Sequence, residues 1–186
     1  MKKLAVLIPG IGYTKDKPLL YYSSKIARAK DYDVLGVTFH DLPDKIRGDN
    51  AKIKEAYLLC CEQTKEFLSG INFDKYDRVV FISKSIGTIV AAYYCGKNQI
   101  SAKHIFFTPL EQTFNFVGEQ ESIVFYGNAD PWADDMTTNE LCKKYNIPSY
   151  LTQSANHSLE TGDISIDINN LLTIMKRVND FLESTN

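Results

Sequence analysis

The sequence lacks an excess of charge of either sign, and it contains no long hydrophobic run. Its 21 Lys and Arg residues nearly balance its 23 Asp and Glu residues, which leaves a formal net charge of −2 without any long block of one sign. A nucleic-acid-binding protein normally carries a basic excess or a basic stripe, so the composition argues against that class. No apolar segment approaches the roughly 20 residues that a transmembrane helix requires, so we expect no membrane association.

The N-terminal segment also lacks the features of a secretory signal. Two lysines precede an apolar stretch that runs only from Leu4 to Ile8, after which Pro9 ends it. That stretch is too short for the apolar core of a signal peptide, and no small-residue cleavage site follows it. We therefore expect a cytoplasmic protein.

Cysteine is scarce, and its four positions do not form a metal-binding or redox pattern. Cys60 and Cys61 are adjacent, Cys95 and Cys142 stand alone, and no C-x-x-C pair occurs. Zinc sites and disulfide frameworks need a spacing that this set lacks, and disulfides are rare in the cytoplasm. We expect buried thiols in helices, and we expect neither a metal nor another cofactor.

What remains is the composition of an ordinary globular chain, with 44% apolar and 24% charged residues among 186. This length suits one ordinary domain and is too short for two, so we expect residues 1–186 to form a single domain. A chain of this size buries roughly 70% of the surface that it exposes when unfolded, which is enough for a full core.

Apolar runs alternate with segments of helical periodicity along the chain. Continuous apolar runs are typical of strands that are covered on both faces, as in parallel sheets. The six predicted strands are 4–8, 34–39, 79–82, 105–107, 123–126 and 148–151. The predicted helices are 18–30, 51–69, 86–97, 133–146 and a last segment with Ile168, Leu171, Leu172, Met175, Val178 and Leu182 on one face. This order predicts an α/β fold, a doubly wound and mostly parallel six-stranded sheet with helices on both faces.

Ligands of such sheets bind at the carboxyl ends of the strands, so the loops that follow the strands are the place to look for function. The first loop, residues 9–14, contains Gly-x-Gly like a phosphate-binding loop. Lys15, however, occupies the position where both a dinucleotide fingerprint and a Walker A loop need glycine, and Asp16 stands where Walker A needs lysine. Nucleotide binding is therefore the weakest of the alternatives.

The loop after the third strand has the pattern of a nucleophile elbow, a sharp strand-to-helix turn that exposes a serine hydroxyl. It reads Ser-Lys-Ser-Ile-Gly over residues 83–87, with Ser85 at the nucleophile position. The residues two before and two after the nucleophile must be small, because the strand and helix backbones pass close together there. Ser83 replaces the usual first glycine and is still small. An ordinary serine-rich turn is the alternative interpretation.

A serine hydroxyl needs a base to take its proton, and the chain has three histidines. His104 begins the fourth strand, at the wrong end of the sheet, and His40 follows the second strand. His157 follows the last strand, and Asp130 follows the fifth strand. The chain order Ser85, Asp130, His157 is that of one class of serine hydrolases. A turn residue at 130 and a surface histidine at 157 are the alternatives.

Asp134 and Asp135 compete with Asp130 for the role of the acid. Both are expected near the start of the fourth helix, where the helix dipole favours negative charge. We favour Asp130 because it lies nearest to the end of a strand, where the backbone is held most firmly.

With these residues, the sequence resembles a small serine hydrolase of the α/β-hydrolase superfamily, closest to its dienelactone-hydrolase-like branch. The resemblance covers nearly the whole chain and rests on four segments, residues 8–12, 83–88, 126–130 and 155–160. It implies that Ser85 is the nucleophile, His157 the base and Asp130 the orienting acid. It also implies an oxyanion hole formed by the backbone N–H groups of Ile11 and Ile86.

Two departures from the family pattern accompany this resemblance, Ser83 in the elbow and Pro9 where many members have histidine. About 15 residues separate Phe107 from Ile123, which is too few for a lid domain, so we expect a shallow and open pocket. Its lining is expected from loop aromatic residues, with Tyr13 and Trp132 preferred over His40, Phe114 and Phe116.

The expected function is therefore cleavage of a small carboxylic ester or thioester, with a small acyl compound as the partner and no cofactor. The principal alternative is a binding protein that kept the fold and lost the activity, since a fold does not by itself imply a function.

Overall fold

A computed structural model of the protein describes residues 1–184, which contain a six-stranded sheet. The strands β1 to β6 are Lys3–Ile8, Tyr32–Gly36, Arg78–Lys84, Lys103–Phe107, Ser122–Gly127 and Ser149–Thr152. Each strand runs parallel to its neighbours in the order β2-β1-β3-β4-β5-β6. The predicted parallel sheet is confirmed.

Five helices cover the two faces of this sheet. The helices α1 to α5 are Pro18–Ala29, Asn50–Leu68, Ile86–Lys97, Asp135–Lys144 and Ile164–Glu183. Side chains of α1 and α5 share one apolar cluster, whereas α2, α3 and α4 contribute to the clusters on the opposite face. The doubly wound arrangement predicted from the order of the elements is therefore confirmed, and the carboxyl ends of all six strands lie along one edge.

The central strands are buried because both of their faces carry apolar side chains. Every residue from Leu4 to Ile8 is at most 3% exposed, and Val79–Lys84 is buried throughout as well. The edge strand β6 has no fully buried residue, which explains its weaker apolar signal. The sheet is therefore rigid at its centre, where the loop of interest after β3 begins.

The second strand begins and ends earlier than its apolar run predicts. It pairs with β1 from Tyr32 to Gly36, and one further hydrogen bond joins the Val37 N–H to the Leu7 carbonyl at 3.0 Å. The chain then leaves the sheet, so the predicted strand residues 37–39 belong to the following loop. The prediction was wrong here because pairing with β1 sets the extent of this strand, whereas apolar character does not.

The last helix buries only the C-terminal half of its predicted apolar face. Met175, Val178 and Leu182 lie in the core, as predicted, but Ile168 is 62% and Leu172 53% exposed. Periodicity shows that these side chains share a face, yet burial requires another element to cover them, and α1 is much shorter than α5.

All four cysteines are reduced thiols in helices, as predicted, but they are not equally buried. Cys60, Cys95 and Cys142 are buried, whereas Cys61 is half-buried on α2. Burial raises the pKa of Cys142 to about 11, so this thiol is protonated at neutral pH. Within residues 1–184, no helix is both long and apolar enough to cross a bilayer.

Candidate active site

Ser85 stands at the sharp turn between β3 and α3, in a backbone conformation that a residue with a side chain rarely adopts. Its φ angle is 55°, and α3 begins at the next residue. Three hydrogen bonds hold the turn. The Ser85 N–H donates to the Phe107 carbonyl at 3.0 Å, and the Ser85 carbonyl accepts from the Thr88 N–H at 2.9 Å and from the Thr88 hydroxyl at 2.6 Å. Such strain persists only where surrounding structure enforces it, which makes this turn a candidate functional site.

The small residues of the elbow are needed because other backbone passes very close. A Cβ on Gly87 would lie 2.3 Å from the Pro9 carbonyl oxygen, and one on Gly10 would lie 3.0 Å from Ser85 Cβ. Ser83 is completely buried, and its hydroxyl has no hydrogen-bond partner among residues 1–184. A serine at this position therefore fits the available space, as the sequence predicts, although it leaves one polar atom unpaired.

The three side chains predicted as a triad lie together in one chain of hydrogen bonds. His157 Nε2 is 2.7 Å from Ser85 Oγ, and His157 Nδ1 is 2.7 Å from Asp130 Oδ2. Because a carboxylate only accepts, Nδ1 must donate to it, and this leaves the lone pair of Nε2 free to accept from the serine hydroxyl. The side chain of Asp130 is 2% exposed and that of His157 is 18% exposed, so water is largely excluded from the bond between them.

Backbone contacts hold the Asp130 and His157 loops together. The Ala129 N–H donates to the Ala155 carbonyl at 3.0 Å, and a Cβ on Gly127 would lie only 2.2 Å from that same oxygen. Asp130 Oδ1 also accepts from the Trp132 N–H at 2.8 Å. Glycine is therefore required at the end of β5, because it lets the loop that carries the base approach the loop that carries the acid.

A second set of contacts shapes the loop of His157 itself. The Asn156 side-chain oxygen accepts from the Ser158 N–H at 2.7 Å, and the Asn156 backbone N–H donates to the Glu160 carbonyl at 2.9 Å. Leu159 is only 3% exposed and has a φ angle of 60°, so it anchors the loop in the core. These contacts fix the position of the imidazole before a substrate arrives, which is what efficient proton transfer requires.

The rival acids predicted from the sequence lie elsewhere. Asp134 caps the N-terminus of α4 and accepts from both the N–H and the hydroxyl of Thr137 at 2.8 and 2.7 Å. These bonds lower the pKa of Asp134. Asp135 is the first residue of the same helix. The structure brings Asp130, and neither of these two, to His157.

The two predicted oxyanion donors flank the serine. Ile86 is the first residue of α3, where N–H groups lack partners within the helix, and Ile11 lies in a turn closed by two backbone bonds between Gly10 and Tyr13. Neither the Ile11 nor the Ile86 N–H donates to another group within residues 1–184. Since Gly10 packs directly against Ser85, the first loop adjoins the hydroxyl.

The two aromatic residues that were preferred as pocket lining have different positions. Trp132 is 37% exposed, and its ring centre lies 6.0 Å from that of His157, beside the mouth of the site. The prediction that Tyr13 lines the pocket is wrong, because Tyr13 is only 5% exposed and its hydroxyl accepts from the Leu19 N–H at 3.1 Å. Tyr13 therefore packs beneath the site, where it contributes to the core.

Lys84 is the residue near this site that the sequence analysis missed. It is the last residue of β3, directly before Ser85, and it is only 1% exposed. Its Nζ lies 4.7 Å from the centre of the Tyr13 ring. Burial lowers the pKa of Lys84 to about 7, and the charge of Asp130 opposes this shift. A signal was present in the sequence, since Lys84 is the one charged residue that follows Arg78 in β3.

The electrostatic environment favours the neutral form of His157. Its pKa is lowered first by burial, which penalises the imidazolium, and also by the positive charge of Lys84. The hydrogen bond to Asp130 acts in the opposite direction and is outweighed. The imidazole is thus held in the form that accepts a proton from the serine.

No protein-family model matches the chain, and no curated protein matches it in sequence. Solved structures do match. A protein from Xanthomonas campestris assigned to the α/β superfamily of hydrolases matches over 100% of both chains, with a TM-score of 0.73 and 12% identity. An α/β serine hydrolase without a lid, also from X. campestris, matches over 99% of this chain and 84% of that one, with a TM-score of 0.63 and 12% identity.

An esterase from Pyrococcus furiosus gives a similar match, with a TM-score of 0.67 and 14% identity over 98% of this chain and 82% of that one. The two X. campestris neighbours are α/β hydrolases, and the expected resemblance is confirmed at the level of the fold. The chain has a minimal α/β-hydrolase fold. Only 14 residues, 108–121, separate Phe107 at the end of β4 from Ser122 at the start of β5, which leaves no room there for a lid domain.

Proposed function

We propose that the protein is a serine hydrolase that cleaves a small carboxylic ester or thioester through an acyl-enzyme on Ser85. The observation that carries this proposal is the pair of 2.7 Å contacts that join Asp130 to His157 and His157 to Ser85. Three residues from separate loops meet in the order and orientation that acyl transfer needs.

In the first half-reaction, Ser85 Oγ attacks the acyl carbonyl carbon while its proton passes to His157 Nε2. The carbonyl oxygen becomes an oxyanion, which the N–H groups of Ile86 and Ile11 are suited to receive. Asp130 keeps Nδ1 protonated and stabilises the imidazolium. When the tetrahedral intermediate collapses, the bond to the leaving group breaks, and His157 returns the proton to the departing alcohol or thiol.

In the second half-reaction, water takes the place of the leaving group. His157 removes a proton from the water as the water oxygen attacks the carbonyl carbon of the acyl-enzyme. When the second tetrahedral intermediate collapses, the bond to Ser85 Oγ breaks, and His157 returns the proton to Oγ. The products are a carboxylic acid and the free serine hydroxyl. Neither step requires a metal or an organic cofactor, because every proton passes through His157.

The comparisons support hydrolysis in general more strongly than they support one substrate. The P. furiosus protein is named an esterase and the lidless X. campestris protein a serine hydrolase, at 14% and 12% identity. Trp132 lies beside His157 and is partly exposed to solvent, so the site is open on this side. An open site suits a small or exposed acyl group. The proposal needs no partner besides this acyl compound.

A fluorophosphonate probe tests the proposal, because it forms a stable adduct only with an activated serine. We expect mass spectrometry to place the adduct on Ser85 and to find none in Ser85→Ala or His157→Ala. Near-ultraviolet circular dichroism of each variant shows whether it is folded. Well-folded wild-type protein without any adduct would contradict the proposal and would favour a binding protein with the same fold. A series of p-nitrophenyl esters of increasing chain length then measures the acyl group that is accepted.

A further inference from the structure

Lys84 is a buried cation that the packing of its strand does not require. Side chains alternate along β3, so Lys84 points to the same face as Val80 and Ile82, which belong to the apolar core. An apolar residue would fill this position at lower cost, because an ammonium group loses its hydration when it is buried. A lysine at 1% exposure therefore calls for an electrostatic explanation.

The surroundings of the ammonium group hold it beneath the candidate active site. Its Nζ lies 4.7 Å from the centre of the Tyr13 ring, whose electron-rich face attracts a cation. The bond from the Leu19 N–H to the Tyr13 hydroxyl keeps that ring in place. Within residues 1–184, no carboxylate oxygen lies within 4.0 Å of Nζ. The charge is thus not neutralised by a direct ion pair.

The charges that act on Lys84 come from the elements that pack around it. Asp130 and Glu160 attract it, from the loops after β5 and β6, and Lys17 repels it from the segment before α1. Of these, only Asp130 belongs to the triad. Its side chain is 2% exposed and is held by Trp132 and His157, so its charge acts on Lys84 with little screening by water.

We propose that Lys84 is a positioning residue of the active site, whose buried charge compensates the Asp130 carboxylate and opposes protonation of His157. The inference rests on the proposed role of His157 as the base, because a base must be neutral when the substrate arrives. Without a cation on the core side of the triad, the buried carboxylate would favour the imidazolium. With it, the base stays neutral to lower pH.

The direction of the His157 pKa agrees with this role. Lys84 is among the causes that lower it, second to burial among the lowering ones, and Asp130 is the group that raises it. Burial lowers the pKa of Lys84 itself to about 7, so Lys84 is positively charged over the acidic range in which His157 titrates. Two further charged groups belong to the surrounding segments. Glu160 lies on the same loop as His157, and Arg47 lies 5.8 Å from the Trp132 ring centre.

The test is a titration of the His157 imidazole by ¹⁵N-edited NMR, in the wild type and in Lys84→Met. His157→Ala assigns the resonance. The matched control is Lys17→Met, which removes a cation that lies 5.5 Å from the same Tyr13 ring but is exposed. We expect the His157 midpoint in Lys84→Met to move upward by about one pH unit, because removing a nearby positive charge favours the imidazolium.

An upward shift that exceeds the shift of the control by more than about 0.3 pH unit supports the proposal, and a smaller or downward shift overturns it. Lys84→Gln serves as a second uncharged variant if Lys84→Met does not fold. Lys84→Arg, which keeps the charge, is expected to stay within about 0.3 pH unit of the wild type. A residue that only packs would change stability without moving the midpoint.

The titration needs no catalytic activity, so the two proposals fail separately. Labelling of Ser85 without a shift in Lys84→Met would overturn the role of Lys84 alone. A shift without any labelling of Ser85 would leave the electrostatic coupling in place and overturn the hydrolase assignment. In an active protein, the acid limb of kcat/KM in Lys84→Met should move upward together with the NMR midpoint.

Discussion

A Cβ atom on Gly87 would lie 2.3 Å from the carbonyl oxygen of Pro9, which is closer than any real Cβ contact. The backbone at the start of α3 therefore packs directly against the backbone of the first loop, with no side chain between them. This approach brings the elbow and the loop of Ile11 together, so the two proposed oxyanion donors depend on one glycine. The last glycine of the elbow pattern is thus a steric requirement of the site.

Replacing Gly87 by alanine should destabilise the protein by about 3 kcal/mol or prevent its folding, because the added methyl group meets rigid backbone. The same substitution at Gly70, where a Cβ meets nothing within 4 Å, is the control and should change the free energy of unfolding by less than about 0.5 kcal/mol. Urea unfolding measures both. Equal stability of the two variants would contradict the close approach.

Asp130→Asn should lower acyl turnover about 10⁴-fold while the protein stays folded, because an amide in place of the carboxylate favours the wrong tautomer of His157. The matched control is Asp134→Asn. Asp134 caps the N-terminus of α4, and asparagine caps helices as well as aspartate does, so this variant should keep the cap. Steady-state kinetics with an activated ester compare them. Near-normal turnover in Asp130→Asn would move the acid role to a neighbouring carboxylate.

The activity should persist to lower pH than an ordinary histidine allows. His157 must be neutral to act as a base, and burial together with Lys84 lowers its pKa below the usual 6.5. The protein should therefore lose kcat/KM only as pH falls through a midpoint below about 6.5. A pH profile with a neutral ester measures this midpoint. A midpoint above that of a free imidazole would show that the bond to Asp130 outweighs burial.

His104 should make the folded protein sensitive to acid. It is fully buried on β4, and burial lowers its pKa to about 4, although its Nε2 hydrogen bond to Gln120 opposes this. In the unfolded chain, His104 binds a proton near pH 6.5, so the free energy of unfolding carries no penalty from His104 above that pH. It should fall by up to about 3 kcal/mol as pH drops toward 4.

Urea unfolding of the wild type and of His104→Phe at pH 7 and pH 4.5 isolates this contribution. Phenylalanine suits the site because His104 already stacks on Phe106, with ring centres 5.0 Å apart. The variant should lose less stability between the two pH values than the wild type does. Replacement of the exposed His40 by phenylalanine serves as the control. Identical losses in the wild type and in His104→Phe would exclude His104 as the acid-sensitive group.

Much of the candidate site follows from the sequence because its parts obey local rules. Parallel strands carry their functional loops at one edge, so Ser85, Asp130 and His157 were expected near each other once three strands were recognised. Their mutual distances were not predictable, since they depend on contacts such as that of Ala129 with Ala155. Those contacts join residues that are far apart in the chain.

Burial was the property that sequence patterns predicted least well. Tyr13 was expected at the pocket and lies in the core, Ile168 was expected in the core and is exposed, and Lys84 was not expected to be buried at all. A pattern shows which side chains share a face of a helix or strand. Whether another element covers that face depends on the lengths and positions of its neighbours.

The sequence by itself determined the order of strands and helices, the parallel sheet and the edge at which Ser85, Asp130 and His157 stand. Hydrophobic periodicity and the chemistry of turns act over a few residues, and they suffice for these features. Only the tertiary structure decided that His157 reaches both partners at 2.7 Å and that Lys84, next to Ser85, is out of water. Such distances and local dielectric environments arise from packing between remote segments, and they control the protonation of the site.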